Sequence, residues 1–319
     1  MGIPHIELGR IAESLVGQID LFICSASFEE RSCSIAKNID VRRIKKVLIA
    51  ENENHSELHG KIPSSLKRIF GNKSEMVMLD TTNPLKTEDN LRLALFTFFS
   101  ESSLKRIVVD ITTFTHESLL ILLNLLKSQL RACNVECLYL NAEEYSLGDE
   151  GQDKWLSKGV GEVRSVIGFP GEFAPSRKLH LIMLVGFEHD RAAELIRRYE
   201  PSIISLGYGQ TTEEGAERHS GLNKQRFEMV KAIHGYAQEF SFSCYDPLMT
   251  KKTIETQISR APGFNVIIAP MNTKLSTVGT ALVAFANESI QLCYAQAHSY
   301  NYEHYSKPGS FVYRFDLPV

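Results

Sequence analysis

Leu21-Phe22-Ile23-Cys24-Ser25-Ala26-Ser27-Phe28-Glu29-Glu30-Arg31-Ser32 is an apolar run that breaks at small residues and turns charged where a helix should begin. The same device returns as Leu181-Ile182-Met183-Leu184-Val185-Gly186-Phe187-Glu188-His189-Asp190-Arg191. A short strand without polar alternation, followed by an acidic first helical turn, is how a parallel strand buried on both faces hands over to its crossover helix. The stretch therefore predicts an α/β fold, and its recurrence predicts two copies of it.

Outward from the first copy, strands are expected at 47–50, 76–79, 107–110 and 136–140. Helices are expected at 28–38, 56–70, 87–99 and 119–130, with a short one over 6–17. Glu29 and Glu188 are 159 positions apart, and that spacing also lays Ile107-Val108-Val109-Asp110-Ile111-Thr112-Thr113 over Val266-Ile267-Ile268-Ala269-Pro270-Met271-Asn272. Between these anchors, Asp80 with Pro84-Leu85-Lys86-Thr87 matches Asp246 with Pro247-Leu248-Met249-Thr250. After them, Asn141-Ala142-Glu143-Glu144-Tyr145 echoes Gln296-Ala297-His298-Ser299-Tyr300. Each half ends in a β-like stretch, 161–170 and 309–318. The expected architecture is two tandem, duplicated Rossmann-like domains, doubly wound on mainly parallel sheets, each closed by its own terminal stretch. The first spans 1–172 and the second 173–319, joined at the Pro/Gly-rich segment 170–176.

Composition removes several function classes. A net charge of −3 argues against a general nucleic-acid surface and leaves room for a local basic pocket. The longest apolar stretch, 118–126, is too short for a bilayer, and no signal segment opens the chain, so a cytoplasmic protein without membrane contact is expected. The cysteines at 24, 33, 133, 137, 244 and 293 match no zinc spacing and read as buried thiols. No metal and no cofactor is expected. The chain lacks the phosphate loop of NTPases, the dinucleotide glycine fingerprint, the hydrolase nucleophile elbow and the zinc-deaminase signature.

In a doubly wound sheet the ligand lies beyond the strand carboxyl ends where strand order reverses. With the common 3-2-1-4-5 order, that point is between the first and fourth strands of each half. The candidate ligand residues are therefore Ser27, Arg31, Thr112, Thr113 and Thr115 in one half, and Glu188, Arg191, Asn272, Thr273 and Lys274 in the other. Hydroxyls, amides and cations at helix starts suit a small anion. If the protein is an enzyme, Glu29, Glu30 and Asp110 are its acid/base candidates. The plainer readings are that Glu29 and Glu30 complement the helix dipole, that Asp80, Asp246, Thr112 and Thr115 are caps, and that Phe28 and Phe187 pack under their loops.

The turns Asp110-Ile111-Thr112-Thr113-Phe114-Thr115-His116 and Ala269-Pro270-Met271-Asn272-Thr273-Lys274 resemble the post-strand-four turn of the CARF and SAVED group, Rossmann-like sensor domains of bacterial defence systems. The first keeps Asp-x-Thr and a later Thr. The second keeps Thr-Lys, and neither keeps that turn's paired glycines. The resemblance implies a sensor of a nucleotide or oligonucleotide second messenger in antiviral defence, working through a protein partner. Two alternatives stand beside it: an enzyme that hydrolyses or transfers a nucleotide-like phosphorylated or glycosylated small molecule, and a scaffold subunit of a larger complex.

Overall fold

A computed structural model describes the chain except residues 1–2, 53–59, 102–104, 130, 147–154, 211–216, 234, 303–304 and 319. It forms two units, 3–154 with 302–319, and 155–301. The first contains β1 (His5–Glu7), α1 (Ile11–Ser14), β2 (Ile19–Ala26), α2 (Arg31–Asn38), β3 (Ile44–Asn52), α3 (Ile62–Phe70), β4 (Ser74–Leu79), α4 (Pro84–Glu101), β5 (Arg106–Asp110), α5 (His116–Lys127) and β6 (Asn134–Tyr145). The second contains β7 (Ser157–Pro170), β8 (Leu179–Val185), α6 (His189–Tyr199), β9 (Ile203–Gln210), α7 (Glu217–Ile233), β10 (Gln238–Ser243), α8 (Pro247–Arg260), β11 (Asn265–Pro270), α9 (Lys274–Ala286) and β12 (Gln291–Tyr300). The last strand, β13 (Ser306–Asp316), returns to the first unit.

The fold is α/β with two Rossmann-like sheets. Their orders are β4-β3-β2-β5-β6-β13-β1 and β10-β9-β8-β11-β12-β7. In each, five parallel strands follow the doubly wound order, so the order reverses between β2 and β5 and between β8 and β11. Every residue of β2 and of β11 is buried, as strands covered on both faces require. One face of the first sheet packs Phe22, Cys24, Val108 and Leu138 with Ile35 of α2 and Leu66 of α3. Its counterpart packs Met183, Val185 and Leu206 with Leu195 of α6 and Phe227 of α7.

Three expectations are corrected. The closing strands are exchanged: β7, expected to end the first half, pairs antiparallel with β12, and β13 pairs antiparallel with β6. The boundary expected at 170–176 accordingly lies inside the second unit, where Asn265 Nδ2 donates to the Ala174 and Arg177 carbonyls, both at 2.9 Å. Strand propensity identifies both closing segments but is indifferent to which edge receives them. Second, the short helix over 6–17 is preceded by β1, which pairs with Phe311–Tyr313 of β13, and the helix proper is only Ile11–Ser14. Third, α4 starts at Pro84 rather than after Thr87, whose hydroxyl instead bonds both the Asp80 N–H (2.7 Å) and the Asp80 carbonyl (2.9 Å). The first residues of the helix expected at 56–70 lie outside the described residues, as do 53–55 after β3 and 211–216 after β9.

Candidate functional site

In the first unit the loops after β2 and β5 meet as expected. The Ser27 N–H donates to Ser32 Oγ (3.1 Å), Ser32 Oγ donates to Thr113 Oγ1 (3.0 Å), and Thr113 Oγ1 donates to the Ser25 carbonyl (3.1 Å). Thr112 Oγ1 donates to Asp110 and accepts the Leu140 N–H at 3.0 Å, and the Thr112 N–H also donates to Asp110 (3.0 Å). Thr115 caps α5 by accepting the Ser118 N–H at 3.0 Å. Ser27, Glu29, Arg31, Asp110, Thr112 and Thr113 are all buried, while Glu30 is exposed and Thr115 half-buried.

Arg31 is matched within the fold. Its Nε and Nη2 donate to Glu29 Oε2 (3.0 and 2.6 Å), and its Nη1 donates to the Leu140 carbonyl (3.3 Å). Its guanidinium carbon lies 5.7 Å from the centre of the Tyr145 ring, and Ser306 Oγ donates to the same Glu29 oxygen at 2.6 Å. Burial works against the cation, but the Glu29 carboxylate, Tyr145 and Tyr139 outweigh it and hold Arg31 well above its usual range. Phe28 packs edge-on against Tyr302 (5.0 Å) and Tyr305 (5.4 Å), which fits an anchoring role.

The second unit repeats this cluster. Arg191 Nη1 donates to Glu188, the Ser157 hydroxyl donates to Glu188, and the Arg191 guanidinium carbon lies 5.5 Å from the Tyr294 ring centre. Tyr294 and Tyr300 hydroxyls are 3.4 Å apart, as Tyr139 and Tyr145 hydroxyls are 3.5 Å apart. Ser157 and Ser306 are the first residues of the two exchanged strands. The sequence had shown the Glu-Arg pair and the Tyr145/Tyr300 echo. It offered no sign of the serines, because nothing in their local sequence says which sheet they reach.

Beyond the shared cluster the units differ. Asn272 Nδ2 donates to the Val185 carbonyl (2.8 Å), and Asn272 Oδ1 accepts the Thr273 N–H (3.0 Å) and the Cys244 thiol (3.3 Å). Thr273 Oγ1 donates to the Cys244 carbonyl (2.6 Å) and caps α9 by accepting the Ser276 N–H (3.1 Å). Asn223, buried on α7, donates to the Gly209 carbonyl (3.4 Å) and accepts from Asn272 Nδ2 (3.4 Å). Asn223 and Cys244 were not among the sequence candidates, because their loops are unrelated in the linear chain. In the loops after β8 and β11, Phe187, Glu188, His189, Asn272, Thr273 and Lys274 are all half-buried. At the equivalent positions of the first unit Glu29, Thr113 and Phe114 are buried, Phe28 and Thr115 are half-buried and Glu30 is exposed.

Among the described residues Asp110 is the one carboxyl pushed far from its usual range. Burial pushes it up to about 6, against the pull of the Thr112 hydroxyl and N–H and the Arg31 charge. His180, buried on β8, has its Nε2 2.8 Å from Ser205 Oγ and its Nδ1 without a partner among the described residues; burial lowers it to about 4. The two shifts have opposite signs in stability. Asp110 favours the folded state below pH 3.8, and that contribution disappears as pH rises through about 6. The His180 contribution is present above pH 6.5 and is lost as pH falls towards 4. Each window amounts to about 3 kcal/mol. Asp110→Asn is expected to be more stable than wild type at pH 8 and equal to it near pH 4, whereas His180→Gln should flatten the loss between pH 6.5 and 4. Denaturant titrations at a series of pH values check both, with Trp155, the only tryptophan, reporting on the second unit.

Among the described residues there is no cluster of His, Cys, Asp and Glu that could hold a metal, and no helix is long and apolar enough to cross a membrane. All six cysteines are buried and unpaired with one another. No family model matches the chain, and no curated protein matches it. Solved structures that align with it include the cytoplasmic domain of a prokaryotic cation chloride cotransporter. That domain is 11% identical, with 90% of this chain and 98% of that chain covered and a TM-score of 0.26. Sheet order defines the class: a duplicated Rossmann-like α/β protein with a reversal of strand order in each unit.

Proposed function

We propose that the protein is a nucleotide-binding sensor or regulatory protein that recognises a nucleotide or oligonucleotide second messenger, in the manner of antiviral defence sensors, and passes the signal to a protein partner. The ligand-binding crevice is the one in the second unit. The observation that carries this reading is the contrast between two loops of common origin. In the first unit Glu29 and Thr113 are buried, and Thr115 at the start of α5 is half-buried. In the second, Asn272, Thr273 and Lys274 stand half-buried at the start of α9, where backbone N–H groups and the lysine charge favour a phosphate. Catalysis is less well supported. Glu29 accepts from Arg31 and Ser306, Asp110 accepts from Thr112 in a sealed interior, and Glu188 accepts from Arg191 and Ser157.

Calorimetric titration with cyclic and linear nucleotides tests the reading. Binding is expected to weaken at least about tenfold in Lys274→Ala, the loss of one charge-assisted contact. Thr115→Ala, in the first unit, should leave affinity unchanged. Absence of binding to any nucleotide, or affinity indifferent to Lys274, rejects it.

A further inference from the structure

We propose that α4 is a self-association surface through which two copies of this chain pair about a two-fold axis. The helix turns Thr87, Leu91, Ala94, Leu95 and Phe98 inward. Its outer face carries Leu85 (62% exposed), Leu93 (60%) and Phe96 (68%), three of the most exposed large apolar side chains in the chain. Single exposed apolar residues are ordinary; three on one face within about 16 Å of helix are an association surface.

The spacing identifies the occupant. Leu85, Asp89, Arg92 and Phe96 follow one another at intervals of four, three and four, so they share one stripe, a seam along the outer face of the helix. In an antiparallel pair, Leu85 of one copy meets Phe96 of the other at each end, and Asp89 meets Arg92 twice in the middle. Apolar faces apolar, and each charge faces its opposite. A surface complementary to itself under a two-fold operation is an isologous dimer interface. Within one chain Arg92 Nη2 already lies 2.7 Å from Asp89 Oδ1 and its Nε 3.5 Å from Glu88, with both Arg92 and Asp89 more than half exposed, so the charges are held on the outer face.

The equivalent helix of the second unit discriminates between partners. Aligning Pro247 with Pro84 places Leu248, Lys252, Glu255 and Ser259 at the four seam positions. Packing α4 against α8 in the same antiparallel register sets Asp89 against Glu255 and Arg92 against Lys252, both repulsive. Packing α8 against itself faces Leu248 with Ser259. Only the α4 seam satisfies itself at all four positions.

Sedimentation equilibrium of the full chain tests this. One helix pair is a small interface, so wild type is expected to pass from monomer to dimer mass within the micromolar range. Asp89→Arg and Arg92→Asp should each remain monomeric at concentrations where wild type is dimeric. An equimolar mixture of the two should recover the dimer mass, because each then meets the opposite charge. Phe96→Ser gives an independent loss, and circular dichroism confirms that these surface variants fold. Wild type that stays monomeric up to about 500 μM overturns the proposal. So does a dimer that tolerates both single reversals, or a mixture that fails to reassociate.

Discussion

Arg31→Met is expected to lower the stability of the first unit by about 3 to 5 kcal/mol, the usual cost of removing one member of a buried ion pair. The substitution leaves the Glu29 carboxylate buried with the Ser306 hydroxyl donating to it, and strips the Leu140 carbonyl of the Arg31 guanidinium. Most of that loss reflects the stranded carboxylate rather than the intrinsic worth of the bridge. The double variant Glu29→Gln with Arg31→Met should therefore recover a substantial part of it. Denaturant unfolding of the two singles and the double measures the coupling. Equal stability of wild type and Arg31→Met would remove the bridge from any account of how the loop after β2 is held. Hydrogen exchange adds a second readout. Because Ser306 opens β13, amides at the start of that strand are expected to lose protection in Arg31→Met.

Gly186→Ala is expected to cost the second unit about 3 kcal/mol or more. A Cβ at this position would lie 1.8 Å from the Met271 carbonyl oxygen and 2.8 Å from its carbon. Both are backbone atoms, so no side-chain rotation relieves the overlap. The loops after β8 and β11 would have to separate at the point where the Met271 N–H donates to the Leu184 carbonyl (3.1 Å). The same glycine thus brings the two loops of the proposed ligand crevice together. Nucleotide affinity should fall with stability in this variant, whereas Lys274→Ala should lower affinity alone. Thermal unfolding and titration of both variants separate the two effects. The first unit has Ser27 at the equivalent position, and there the loops are joined by the Ser32–Thr113 hydroxyl bond.

The alternation of buried strands with helices, the internal repeat and the places of the loops were legible, while the doubly wound order, assumed as the common one, is the order observed. Strands buried on both faces leave continuous apolar runs, and the loops after the first and fourth strands keep a common spacing because both must reach the same switch point. The assignment of Asp80 and Asp246 to turn and cap roles was equally legible. Asp80 accepts the Asn83 N–H at 3.0 Å, and Asp246 accepts those of Leu248 and Met249 at 2.9 and 3.0 Å. Such bonds join residues two or three apart, so local sequence is enough to specify them.

Arg31 and Arg191 show the opposite limit. A cation at a helix start is compatible with an anionic ligand or with a carboxylate of the same chain, and linear order does not choose between them. The choice depends on burial: both arginines lie inside, each paired with the glutamate of its own loop. Strand exchange is a stronger case. Segments 157–170 and 306–316 have the same β-like composition and the same kind of antiparallel edge available, so either could close either sheet. The amino-acid order settles local geometry, strand identity and the place of the loops, because those follow from bonds and burial patterns a few residues long. Which edge each closing strand joins depends on pairings such as Glu29 with Ser306, 277 positions apart. Such pairings exist only once the sheets have formed.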